Sequence, residues 1–87
     1  ETGIAVAAKL ASLGQHRQVI VITHLPTIAA RAGNHLVIAK EQTETATTVS
    51  VRGVTGEERV REIARMVSGD QPSDLALAHA RELLQQI

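Results

Sequence analysis

At 87 residues, 44% of them apolar and none of them cysteine or aromatic, the chain is one domain or a piece of one, with no means of forming a disulfide framework or a thiolate metal site. Nine Lys/Arg balance nine Asp/Glu, so the basic excess that accompanies direct nucleic-acid binding is missing. No apolar run approaches the roughly 20 residues of a membrane span, and Lys9 interrupts the opening apolar stretch, so a soluble cytoplasmic protein without a signal peptide is the default expectation.

The first predicted element is an alanine-rich helix over Ile4 to Leu13, with Ile4, Ala7, Ala8, Ala11 and Leu10 toward one face and Gly14 as its C-terminal cap. Gln15-His16-Arg17 then leads into Gln18-Val19-Ile20-Val21-Ile22-Thr23, short, β-branched and apolar without a break, as a parallel strand covered on both faces would be. Pro26 cannot extend that strand but suits the first turn of a helix, which the sequence carries to Ala32 and closes at Gly33-Asn34. Helix, loop, strand, helix is half of a parallel α/β layer.

The pattern then changes. His35 to Lys40 and Thr47 to Val54 read as an antiparallel hairpin around the polar run Glu41 to Ala46, with Val49, Val51 and Val54 on one side. Thr55-Gly56-Glu57-Glu58 fits a capping box, opening a helix whose Val60, Ile63, Ala64 and Val67 share a face and whose Glu57 and Arg61 can pair one turn apart. Ser68 to Pro72 ends it. Ser73 caps a last helix with Leu77, Ala80, Leu84 and Ile87 on one face, widened by Leu83. A core of Val, Ile, Leu and Ala lacks the large area that aromatics bury, which points to a chain that packs against further polypeptide.

His24 is the leading functional candidate. It falls where the apolar strand stops and a helix starts, and ligands of open α/β sheets gather outside the carboxyl ends of the strands. A hydrogen-bonded structural histidine is the competing reading, and Thr23 reads as an ordinary strand residue ahead of a helix-capping hydroxyl. His16 suits the negative end of a helix dipole, while His35 and His79 read as surface positions, and the four histidines show no metal-ligand spacing. There is no Gly-x-x-x-x-Gly-Lys-Ser/Thr loop to cradle phosphates, no nucleophile elbow and no adjacent pair of acids at a strand end to hold magnesium. A self-sufficient enzyme needs several polar groups at a cleft, so the chain alone is not expected to catalyse a reaction.

Three blocks occur in order: Val21-Ile22-Thr23-His24-Leu25-Pro26-Thr27-Ile28-Ala29-Ala30-Arg31-Ala32; Gly56-Glu57-Glu58-Arg59-Val60 with Glu62-Ile63-Ala64-Arg65-Met66; and Ala76-Leu77-Ala78-His79-Ala80-Arg81-Glu82-Leu83-Leu84. Together they resemble the C-terminal end of the RecN family, bacterial DNA-repair ATPases of the SMC-like branch of the ABC proteins. The resemblance runs from about Ile4 to the last residue. It implies that residues 1–87 are the C-terminal lobe of an ABC/SMC-type P-loop ATPase head, an α/β fragment with a parallel strand plus an antiparallel hairpin flanked by helices.

It also implies that His24 is the switch histidine, approaching the γ-phosphate of ATP, with Thr23 and Leu25 orienting it through the backbone. ATP and Mg2+ would belong to the full-length protein, with none bound by this fragment alone. The implied partners are the N-terminal lobe of the same head, a second head in an ATP-bound dimer and, through the whole protein, DNA in double-strand-break repair at the bacterial nucleoid; no membrane is involved. Glu1-Thr2-Gly3 departs from the pattern, since the family has more residues, glycines among them, before this helix. Either residues are missing or these three are foreign to it, and Glu1 receives no catalytic role. Two other readings stand beside this one: a self-associating module built on the strand edge at 18–23, and the matching lobe of another SMC-like ABC ATPase.

Overall fold

A computed structural model describes residues 2–85, in the order helix, short helix, hairpin, helix, helix. The expected places of Glu1 and of Ile87 on the last helix lie outside these residues. Helix α1 (Thr2–Gly14) begins two residues earlier than the apolar pattern suggests and runs through Gly14. Gly14 is therefore no left-handed cap; the end tightens through Gln15 and His16 N–H groups donating to the Ser12 and Leu13 carbonyls. Of the expected apolar face only Ala7 is buried; Ile4 and Ala8 are exposed and Leu10 and Ala11 half-buried, and Val6 and Leu13, outside that face, are exposed as well.

No strand forms at 18–23. The segment crosses the surface unpaired, with Ile20 82% and Ile22 88% exposed. The residue types are those of a strand, but a strand exists only through the ladder bonds of a neighbour, and the described residues supply none. Helix α2 (Pro26–Ala29) follows with Pro26 at its first turn, as expected, yet it is a single turn. Arg31 and Ala32 continue it only as i→i+3 bonds to Ile28 and Ala29, so the chain leaves helical geometry before Gly33.

The hairpin is as the alternation predicts, and slightly longer: β1 (His35–Gln42) pairs antiparallel with β2 (Thr47–Val54), His35 opposite Val54 and Gln42 opposite Thr47. Thr43 closes the loop, its N–H and hydroxyl both donating to the Ala46 carbonyl. Val54 does not share a side with Val49 and Val51. Side chains alternate along a strand, so Val54 goes with Val37 to the covered face and is 2% exposed. Leu36, Ile38, Val49 and Val51 form the opposite face, and all four are exposed.

Helices α3 (Gly56–Ser68) and α4 (Asp74–Gln85) pack on each other and on α2, and this three-helix contact is the core. Its members are Ala29 and Ala30 from the α2 end, Val60, Ile63 and Ala64 from α3, and Ala76, Ala80 and Leu83 from α4. Most are alanines, which allow close backbone approach but bury little area each; among the described residues Ile63 is the one large side chain that is fully buried. Val67 falls outside the core, and on α4 the buried line runs through Ala76, Ala80 and Leu83, with Leu77 and Leu84 half-buried at its flanks.

Both predicted caps occupy the predicted positions, and only one uses its side chain. Ser73 Oγ accepts the Ala76 N–H at 3.2 Å. Thr55 is the N-cap of α3 without a side-chain bond. Glu58 is drawn instead to Arg52 of β2, and Glu57 pairs with Arg81 of α4 at 2.6 Å, not with Arg61, tying the two helices together on the wet side.

Candidate functional site

His24 is exposed, in a bend between the unpaired segment and α2. The bend is made by its neighbours: the Leu25 N–H donates to Thr23 Oγ1 at 3.0 Å, a side-chain-to-backbone turn that spans His24. Neither expected role of Thr23 is found: no strand forms here, and the N-cap of α2 is Leu25 without a side-chain bond, so the Thr23 hydroxyl serves the bend itself. Leu25 in turn offers its carbonyl to the Ile28 and Ala29 N–H groups at 3.2 and 3.1 Å, joining the bend to the first turn of α2. The imidazole is thus carried on a fixed backbone while its ring stays open to the exterior, and it is not a packed structural histidine.

The bend forms one lip of an open cleft of about 600 Å³. Ile4 of α1, Met66 and Val67 of α3, and His79, Glu82 and Leu83 of α4 supply the remaining walls. His79 and Glu82 lie one turn apart on α4, as their spacing dictates. His79 is exposed as expected, but it shares the cleft with His24, a proximity that arises from tertiary packing and is invisible in sequence. Among the described residues no three His, Asp or Glu side chains gather as a metal site.

His35 and Arg59 lie behind the bend. His35 is half-buried, not a surface residue, and its Nδ1 is enclosed without a hydrogen-bond partner among the described residues. Burial, and then the nearby Arg59 cation, hold its pKa below the ordinary histidine value, with Glu62 opposing them. Arg59 Nη2 donates to the carbonyls of Ala29, Ala30 and Ala32 at 3.2, 3.3 and 2.6 Å. They cluster where α2 ends, the Ala29 carbonyl also accepting the Ala32 N–H, and a guanidinium there complements the negative end of the helix.

Residues for a nucleotide fit only in part. A histidine N–H at an exposed lip can contact one phosphate oxygen, but among the described residues there is no glycine-rich cradle and no acid cluster for Mg2+. No helix among the described residues is long and apolar enough to cross a membrane.

No protein-family model matches the chain. Comparison with curated proteins is informative: DNA repair protein RecN of Treponema pallidum is 50% identical over 84 residues, covering 97% of this chain and 15% of the relative. DNA repair protein RecN of Deinococcus radiodurans is 53% identical over 81 residues, covering 93% and 14%, and that of Bacillus subtilis is 45% identical over 82 residues, covering 94% and 14%. The chain therefore spans only about one seventh of the length of these relatives, 14–15%. Nearly its whole length aligns with them, and the chain matches a C-terminal fragment of the RecN proteins.

Proposed function

We propose that this segment is the C-terminal lobe of an SMC-like, ABC-type ATPase head acting in DNA repair, and that His24 is its switch histidine. The observation that carries the reading is the exposed, turn-held imidazole at the lip of the cleft, in a chain that matches RecN proteins over nearly its whole length. Bound ATP with Mg2+, held by residues of the longer protein, would supply the phosphoryl group and the metal's charge neutralisation. The segment's own contribution is a hydrogen-bond donor at a fixed position. A preorganised donor aimed at developing charge stabilises the transition state more than the ground state. Thr23 and Leu25 hold the bend so that little reorganisation is needed when charge develops.

In the full-length protein carrying this segment, His24→Ala should lower ATP turnover roughly 10²–10³-fold, the scale of one lost transition-state donor, with nucleotide binding retained. Turnover at the wild-type level would end the assignment. The segment alone should neither bind nor hydrolyse ATP, and adding the N-terminal lobe should restore turnover.

One observation favours a second reading, a self-associating module. Ile20 and Ile22, together with the hairpin face of Leu36, Ile38, Val49 and Val51, leave apolar surface uncovered. Molar mass measured at several concentrations separates the two. A discrete dimer supports the module, and a monomer that gains ATPase activity with the other lobe supports the head.

A further inference from the structure

We propose that Arg59 is a positioning residue for His24, acting through the one-turn helix α2. The inference rests on the switch-histidine reading above and concerns a residue to which that reading gives no part. Arg59 stands in the first turn of α3, 35 positions beyond His24 in the chain, and its side chain reaches back to the end of α2. There a single Nη2 donates to the carbonyls of Ala29, Ala30 and Ala32.

Helix α2 is only four residues long, so it has almost no internal redundancy. A helix of one turn is not stable by itself, because nucleation costs more than one turn of hydrogen bonds returns. External contacts must hold it. Ala29 and Ala30 are buried in the helical core, and Arg59 grips the carbonyls that core packing cannot satisfy. The far end of the same turn is Leu25, whose carbonyl accepts from Ile28 and Ala29 and whose N–H donates to Thr23 Oγ1. A continuous path of hydrogen bonds therefore runs from the guanidinium, through α2, to the bend that presents His24.

The geometry explains why arginine stands here. A single Nη2 carries two N–H groups, so the three carbonyls share them; the arginine side chain is also longer than that of lysine, and its planar head fixes the direction in which those N–H groups point. Loosening this grip leaves His24 chemically intact but lets its bend wander. A displacement of about 1 Å at a reacting group can cost on the order of 10²-fold in rate.

The test is a double-mutant cycle on ATP turnover of the full-length protein carrying this segment, with Arg59→Ala, Arg59→Lys, His24→Ala and the combined variants. Arg59→Ala should lower kcat about tenfold or more with KM for ATP near wild type, and Arg59→Lys should fall between the two. In the His24→Ala background, changing Arg59 should produce little further loss, because the donor it positions is already gone. Three results overturn the proposal: Arg59→Ala turning over like wild type, losses that multiply in the double variant, or a rise in KM with kcat unchanged. Wild-type turnover of His24→Ala alone would instead overturn the switch-histidine reading, and the Arg59 proposal with it.

Discussion

Ile63→Ala tests the packing on which the His24 bend is built. Ile63 is fully buried, at 0% exposure, between α3, α4 and the α2 end. Truncation removes three carbons, worth about 2.5 kcal/mol at roughly 0.8 kcal/mol each, before any cavity is counted. Relaxation into the space is limited, because Ala29, Ala30, Ala64, Ala76 and Ala80 already bring the helix backbones close and have no longer side chains to swing inward. The loss should therefore sit in the middle of the usual range for Ile→Ala, about 3–4 kcal/mol. A domain of 87 residues has roughly 4–13 kcal/mol in total at the usual stability per residue. Subtracting the loss leaves roughly 0–10 kcal/mol, so the unfolding transition should move to much lower urea. Ile63→Val keeps most of the volume and should cost about 0.5–1.5 kcal/mol. Urea titrations followed by far-UV circular dichroism give both values; with no Trp or Tyr there is no intrinsic fluorescence to use. A loss under about 1 kcal/mol for Ile63→Ala, or one no larger than for Ile63→Val, would refute the claim that this contact organises the fold.

Two further outcomes follow from local chemistry. His35 has a pKa lowered from 6.5, so the unfolded chain binds its proton more readily than the folded one. Stability should be flat above pH 6.5, fall as pH drops from 6.5 through the lowered value, and level off below it. A urea-midpoint series should show this slope, and His35→Asn should remove it; an unchanged slope would assign the effect to other groups. Ser73→Ala should cost about 1 kcal/mol through the lost bond to the Ala76 N–H, read as a lower urea midpoint with unchanged m; an unaltered midpoint would show that water replaces the cap without loss.

Legibility in the sequence followed the range of the interactions. The hairpin and the two closing helices depend on near neighbours: Thr47 to Val54 alternates, Val60, Ile63 and Ala64 recur at helical spacing, and Ser73 supplies a local cap. Errors arose where a distant partner decides. Residues 18–23 have a strand's composition and no strand beside them. Val54 is a local exception: grouping it with Val49 and Val51 by residue type passes over the period of two, which puts it on the other face. His35 read as exposed because nothing nearby in sequence announces Arg59 and Glu62. Glu58 satisfies the capping-box spacing, yet Arg52 competes for its carboxylate with full charge. His24 was found because its signal is local, a titratable residue between an apolar run and a proline. Arg59 falls within one of the blocks that carry the resemblance, but its grip on α2 spans 27 to 30 residues and no pattern of spacing encodes it.

The distribution of apolar surface joins these observations. The buried core is a thin layer of alanines and a few larger residues between three helices, while Ile20, Ile22, Leu36, Ile38, Val49, Val51 and Leu75 stay exposed. Folding this segment alone thus covers the residues that hold α2 from behind and leaves uncovered those on the two β-type surfaces. The division has a consequence for the site. His24 is anchored on its C-terminal side by α2, Ala29, Ala30 and Arg59, all within the segment. On its N-terminal side it is joined to an unpaired stretch that becomes a strand only when another strand lies beside it. On the proposed reading, the bend is half-built by this chain and completed by the lobe that holds the nucleotide. Catalytic geometry then arises only when both are present, and that is a physical reason for the isolated segment to be inactive even with its histidine in place.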